Sequence, residues 1–199
     1  MKKQLFGRLR LLIAPFESVI KLLPTRGRLL DVGCGHGFVT GTIASARPKL
    51  KIYGIDIDHS RIQAAQSSVS HNRNLSFAAT NLLTNTFPVR KKFDIILFFD
   101  LLHHLAPTEQ NKIIDRSLTL LSKNGMLILK DIDIYPRYKY WWNYFHDYLI
   151  SKGKPVHCRS HRDWQKILKQ KGFQIKKTFF PNKGWLYPHV IIVARQNVN

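Results

Sequence analysis

Five short runs of aliphatic and aromatic residues, at 28–32, 51–55, 75–79, 93–99 and 126–132, alternate with helix-period stretches around 38–46, 60–70 and 108–121. Strands that alternate with helices build βαβ units, so the pattern predicts an α/β fold around a parallel sheet. After Gly172, the segments 173–180 and 189–194 read as two more strands close in sequence, a hairpin-like pair that ends the sheet and brings the expected count to seven. Ahead of the first strand, Leu5, Leu9, Leu12 and Ile13, then Phe16, Val19, Ile20 and Leu23, follow helical spacing. Pro15 separates these two lead-in helices and Pro24 stops the second.

The first strand–helix junction reads "LLDVGCGHGF" and places Gly33, Gly35 and Gly37 directly behind Asp31. Glycines at such a turn let the backbone approach a ligand closely, because no Cβ intervenes. A dinucleotide fingerprint would read GxGxxG, but here the spacing is GxGxG and Phe38 stands where the third glycine would fall, which disfavours NAD. A phosphate loop would need a Lys-Ser/Thr pair, and none follows. Asp31 beside the loop suits the cationic end of a ligand. Asp56 closes the strand "KIYGID" 19 residues beyond Gly37, where it can accept hydrogen bonds from ribose hydroxyls.

At 199 residues the chain can bury about 70% of its unfolded surface, so one domain spanning 1–199 is expected. Two cysteines, Cys34 and Cys158, far from any CxxC pair, indicate neither a disulfide framework nor a metal site. A reducing, cytoplasmic setting follows. Arg8 and Arg10 interrupt the apolar N-terminal stretch, so no signal peptide is read there, and no run is long enough to span a bilayer. Charge is the unusual global property, at +20. Residues 1–30 carry seven basic and one acidic residue, and 130–199 carry fourteen and four, so the excess sits at the two ends. Such an excess either serves an anionic partner, whether nucleic acid, membrane surface or acidic substrate, or simply solvates the surface.

Four motifs in order, "LLDVGCGHG", "GIDID", "FDIILFFDLLHHL" and "LLSKNGMLILK", resemble the motif series of class I S-adenosylmethionine-dependent methyltransferases over residues 25–132. The resemblance implies a Rossmann-like, doubly wound seven-stranded sheet with a reversed last strand. It implies S-adenosylmethionine as cofactor, its methionine portion on Asp31, Gly33, Gly35 and Gly37 and its ribose on Asp56. Ile57 would pack on adenine, and Asn81 stands where an Asp often touches the adenine amino group. Asp100 joins the expected cofactor contacts. The expected layout is N-terminal helices at 1–24, a cofactor-binding core at 25–132, an acceptor-side helical segment at 133–172 and a C-terminal strand pair at 173–199.

Methyl transfer is an in-line displacement in which alignment supplies much of the catalysis, so no metal is expected, and a base helps only if the acceptor must lose a proton. His103 and His104 follow the fourth strand, and Lys130, Asp131 and Asp133 close or follow the fifth. His104 and Asp131 are the leading base candidates, with His103 beside them. The structural alternative is that "LLHHL" merely starts a helix, with one histidine packed and the other exposed, and that Asp131 pairs with an Arg. Between the fifth strand and the final pair, Tyr138, Trp141, Trp142, Phe145 and Leu149 fall on one helical face. This face either packs on the sheet edge or closes over the acceptor. His146 and His157 are further base candidates within that segment, and Ser160 with Asp163 forms a capping box for the next helix.

Three classes of activity compete. A small-molecule or lipid-like acceptor, methylated at oxygen, fits "DLLHHL" and the aromatic segment. The charge would then serve an anionic membrane surface or an acyl carrier protein, which allows a peripheral place at the inner membrane. RNA is the alternative, although the (N/D)PP(Y/F)-type tetrad of amino-directed base methylation is missing after the fourth strand. A cofactor-binding regulator without catalysis is the third.

Overall fold

The computed structural model describes residues 15–69, 72–84, 92–150, 155–181 and 187–197. The expected helix over Leu5 to Ile13 lies outside them. Helix α1 (Phe16–Leu22) precedes β1 (Gly27–Val32), α2 (Phe38–Ala46), β2 (Leu50–Asp56), α3 (His59–Ser68), β3 (Leu75–Ala79) and β4 (Phe93–Phe99). A single 3-10 turn at Leu102–His104 leads into α4 (Pro107–Leu120), β5 (Leu121–Ile132), α5 (Arg137–Ile150), α6 (His161–Gln170), β6 (Phe173–Phe179) and β7 (His189–Gln196).

These strands form one seven-stranded sheet in the order β3-β2-β1-β4-β5-β7-β6. Neighbours from β3 to β5 pair in parallel, and β7 inserts antiparallel between β5 and β6. The doubly wound sheet with its last strand reversed is therefore the architecture expected from the motif series. Strand β5 is longer than its expected span because Leu121 already pairs with Phe93, ahead of an irregularity in register.

Strands buried on both faces read as continuous apolar runs, which explains "FDIILFF", where Ile95 to Phe98 are all buried. Alternate residues of β1, β4 and β5 feed two cores. Leu30, Ile96, Phe98, Leu127 and Leu129 pack against Ile113 and Ile114 of α4 and Trp164 and Leu168 of α6. Leu29, Ile95, Leu97 and Ile128 pack on the other face against Val19 of α1 and Ile43 and Ala44 of α2. Helix α3 lies so close to α2 that a Cβ on Gly41 would stand 2.6 Å from Val69 Cγ1.

Helix ends follow local chemistry. Asp58 caps α3 by accepting from the backbone N–H of Ser60 (2.8 Å) and Arg61 (3.2 Å), and the Ser60 hydroxyl, donating to it at 2.7 Å, together with the Arg61 N–H holds its carboxyl below the usual range. Ser160 and Asp163 form the expected reciprocal box on α6, with Asp163 N donating to Ser160 Oγ at 3.1 Å and Ser160 N to Asp163 Oδ2 at 3.3 Å.

Helix α5 corrects the core-facing reading of the aromatic face. Tyr138, Trp141, Trp142 and Phe145 are exposed, and the inward residues are Asn143, Tyr140 and Tyr144. The apolar stripe and the buried stripe of this helix lie on different sides. The side chains of His146 and Leu149 lie outside the described residues.

Trp164 anchors the α6 side of the sheet and is 1% exposed. Its replacement by Ala should cost about 3–5 kcal/mol by leaving a large cavity, read as a lower denaturant midpoint with an unchanged slope.

Candidate active site

Parallel strands that turn back on either side of a central strand leave a crevice at their carboxyl ends. Here β1 has β2 on one side and β4 on the other, and the chemistry-bearing residues gather at that edge. The glycine loop leaves β1 there. All three of its glycines have positive φ, 76° at Gly33, 56° at Gly35 and 76° at Gly37, which strains any residue with a side chain. Two of them are also packed from behind. A Cβ on Gly33 would stand 2.6 Å from Leu101 Cδ1, and one on Gly37 would stand 2.8 Å from Phe77 Cζ. Gly35 differs, because a Cβ there meets nothing within 4 Å. The loop is thus supported underneath by protein and open at its middle glycine, as a cradle for a ligand has to be.

Backbone and carboxylate bonds hold this shape. Gly33 N (2.7 Å) and Cys34 N (2.9 Å) both donate to Ile55 O of β2. Gly35 N donates to Asp56 Oδ2 at 2.9 Å, and Asp58 N donates to Asp56 Oδ1 at 3.0 Å. Each Asp56 oxygen keeps a second lone pair, so the carboxylate can brace the loop and still accept from ligand hydroxyls. Asp31, buried under the loop, accepts from Thr40 Oγ1 at 2.6 Å. This pocket of negative charge on a strongly basic chain suits a cationic ligand.

The remaining expected cofactor residues are less uniform. Ile57 projects into solvent, 71% exposed, at the same edge as Asp56. Asn81 is exposed and its Oδ1 accepts from Leu83 N at 2.9 Å, so part of its capacity is spent on its own turn. Asp100, with φ 52°, is ion-paired to the fully buried Lys130. Lys130 Nζ also lies 4.9 Å from the centroid of the Phe99 ring.

Across the crevice the structure joins His103 and Asp131. Both are buried, and the carboxylate accepts from His103 Nδ1 and, at 3.1 Å, from His103 N. Asp131 Oδ1 also accepts from Ile132 N at 2.9 Å. The partner of Asp131 is therefore a histidine, where the structural alternative had an Arg. His104 turns outward and is exposed, with its ring centroid 4.0 Å from that of His103. A second pair repeats the arrangement two residues on, just past the end of β5, and was not singled out in the sequence. His161 gives Nδ1 (2.7 Å) and its backbone N (3.2 Å) to the two oxygens of Asp133. The missed signal was period two in "DID", which puts Asp131 and Asp133 on one face of the strand. His157 contributes backbone, its N–H donating to His103 O at 2.7 Å.

No cluster of three or more His, Cys, Asp or Glu able to hold a metal occurs among the described residues, and no described helix is long and apolar enough to cross a membrane. A broad open groove of about 690 Å³, lined in part by Lys49, Lys51 and Arg73, lies at the opposite edge of the sheet.

A family model described as a methyltransferase domain matches residues 1–178. The chain is similar to O-methyltransferase 12 of Dictyostelium discoideum, 25% identical over 188 residues that cover 94% of this chain and 49% of that protein. It is also similar to a tRNA N(3)-cytidine methyltransferase of Homo sapiens, 32% identical over 117 residues that cover 56% of this chain and 30% of the relative. It therefore spans about half the length of the first of these relatives and under a third of the second. Magnesium protoporphyrin IX methyltransferase from Synechocystis, solved with bound S-adenosylhomocysteine, superposes with a TM-score of 0.70 at 22% identity, covering 92% of this chain and 81% of that one. A glycine cradle at the carboxyl edge of such a sheet, together with the matching family model, defines a class, and the chain belongs to the class I S-adenosylmethionine-dependent methyltransferases. Its cofactor is S-adenosylmethionine.

Cys34 sits inside the cradle, where burial, with Asp31 and Asp56 beside it, pushes its thiol far above the usual cysteine range. Its thiolate population is negligible at neutral pH. Mass mapping of the native protein treated with iodoacetamide at pH 8 should find Cys34 unmodified, and full labelling there would contradict this environment.

Proposed function

We propose that this chain methylates an oxygen of a small or lipid-like acceptor and that His103, oriented by Asp131, takes the acceptor's proton. The observation that carries this reading is the buried His103–Asp131 pair next to the glycine cradle. The two are neighbours because Leu101, two residues before His103, packs directly on Gly33. When bound, S-adenosylmethionine supplies a methyl group on a positively charged sulfur.

The chain's own residues then have distinct tasks. Gly33, Gly35 and Gly37 give the ligand close access to backbone, and Asp56 accepts from its ribose hydroxyls while bracing the loop. Ile57 covers one face of the adenine and Asn81 offers side-chain hydrogen bonds at its edge. Asp100 is the link between the two halves, since its ion pair with Lys130 ties the end of β4 to the end of β5. Asp131 fixes the His103 tautomer with the proton on Nδ1, which leaves Nε2 as the nitrogen for proton exchange. Asp131 itself is buried, accepts three hydrogen bonds and acts through His103.

RNA is the second reading, favoured by the +20 charge and by the similarity to a tRNA methyltransferase. Radiolabelled S-adenosylmethionine offered separately with a lipid extract and with bulk tRNA distinguishes them by which fraction takes up label.

Asp56→Ala should weaken S-adenosylmethionine by about 1.5–3 kcal/mol in calorimetry, because a charged acceptor is lost. Gly35→Val should weaken it more, since its side chain fills the open space of the cradle and the backbone there is left-handed. Unchanged affinity in both variants refutes the cofactor assignment.

His103→Ala should lower turnover by roughly 10² to 10⁴ fold with nearly intact cofactor affinity, while His104→Ala stays within a few fold of wild type. Wild-type turnover in His103→Ala would leave alignment alone as the source of catalysis.

A further inference from the structure

Helix α5 wears its apolar side outward. Tyr138, Trp141, Trp142, Phe145 and Tyr148 are 46–70% exposed, and their spacing places them along one stripe. Of these, Trp141 leans on the inward tyrosines, with ring centroids 5.5 Å apart for Tyr140–Trp141 and 5.9 Å for Trp141–Tyr144. Beyond the helix, Tyr135 and Phe180 are also exposed, at 48% and 53%.

Strand pairing puts these groups at one edge. Ile132 of β5 pairs with His189 of β7, and Phe179 of β6 pairs with Ile191, so the start of α5 and the end of β6 both lie at the carboxyl edge of the parallel strands. That is the edge where the cradle opens and beside which the buried His103 lies. Single exposed apolar residues are ordinary on a protein surface, but a stripe of this size marks a contact site.

Its composition and its charge choose the partner. Trp and Tyr combine an apolar ring with a polar tip, the property that favours them at a water–lipid boundary. Around them the chain is basic: residues 130–199 hold fourteen Lys and Arg against four Asp and Glu. Arg137 opens the helix, and Lys176 and Lys177 are exposed on β6, the outer strand of the sheet. An aromatic stripe within a positive field is complementary to an anionic bilayer surface, where apolar burial and charge attraction add.

We propose that α5 docks this enzyme on an anionic lipid surface, with Trp141 and Trp142 entering the headgroup region and the carboxyl edge of the sheet turned toward the membrane. The inference rests on the lipid-like acceptor reading, because it lets such an acceptor pass from the bilayer to His103 without crossing water.

The test uses the full chain, with vesicles of phosphatidylcholine alone and of phosphatidylcholine mixed with phosphatidylglycerol. Binding to the anionic vesicles is expected, weakening as salt rises, with tryptophan emission quenched by lipids brominated near the headgroup. A Trp141→Ala/Trp142→Ala variant should bind these vesicles about tenfold more weakly or worse, with unchanged melting temperature and unchanged S-adenosylmethionine affinity. Wild-type vesicle binding by this variant overturns the proposal, as does tighter binding to RNA than to vesicles at equal salt. Failure of the acceptor reading gives a different result. Vesicle binding through Trp141 and Trp142 with methylation confined to RNA overturns that reading alone, whereas methylation of a detergent-dispersed lipid without vesicle binding overturns the docking alone.

Discussion

The carboxylate of Asp56 holds the backbone of two segments at once, receiving Gly35 N on one oxygen and Asp58 N on the other. With the paired donation of Gly33 and Cys34 to Ile55, it ties the glycine loop of β1 to the end of β2. The constraint is strict because the loop has left-handed backbone at three positions, each a glycine with no side chain to anchor it. Leu101 from the β4 side and Phe77 from the β3 side close in beneath it. The cradle is therefore made by four strands together, and its position at the switch between β1 and β4 follows from the strand order.

Strand β5 supplies the other wall by its period of two. Lys130 lies on one face, where Asp100 neutralises a charge that would otherwise be costly to bury. Asp131 on the opposite face, and Asp133 just past the strand's end, hold His103 and His161 by the same two-point grip of ring and backbone nitrogen. Gln110 stitches the region together, its Nε2 reaching Leu102 O, Leu105 O and His157 O at 2.8 to 3.1 Å. A short polar strand end thereby orders residues that lie 28 positions away on either side in the chain.

Helix α5 shows how far amphipathic pattern alone can mislead. Its aromatic stripe is real, and apolar stripes ordinarily face a core. Here both faces of the sheet are already covered, by α4 and α6 on one side and α1 and α2 on the other. The helix instead packs through Asn143, Tyr140 and Tyr144 and leaves its tryptophans outward.

The sequence by itself determined the fold class and the location of the loop, and the resemblance of its motif series implied the cofactor. Alternating periodicity, a GxGxG turn behind Asp31 and Asp56 at the next strand end are local signals, each resting on backbone geometry within a few residues. Even the antiparallel final pair was legible, since its two strands lie close together in the chain. What only the tertiary structure decided were pairings across long separations: His103 with Asp131 while His104 faces solvent, Asp133 with His161, Asp100 with Lys130, and the outward turn of α5. Two adjacent histidines are equivalent in sequence until a strand 28 residues away offers one of them a carboxylate. A helix likewise has no inside or outside until the rest of the chain has filled the space around it.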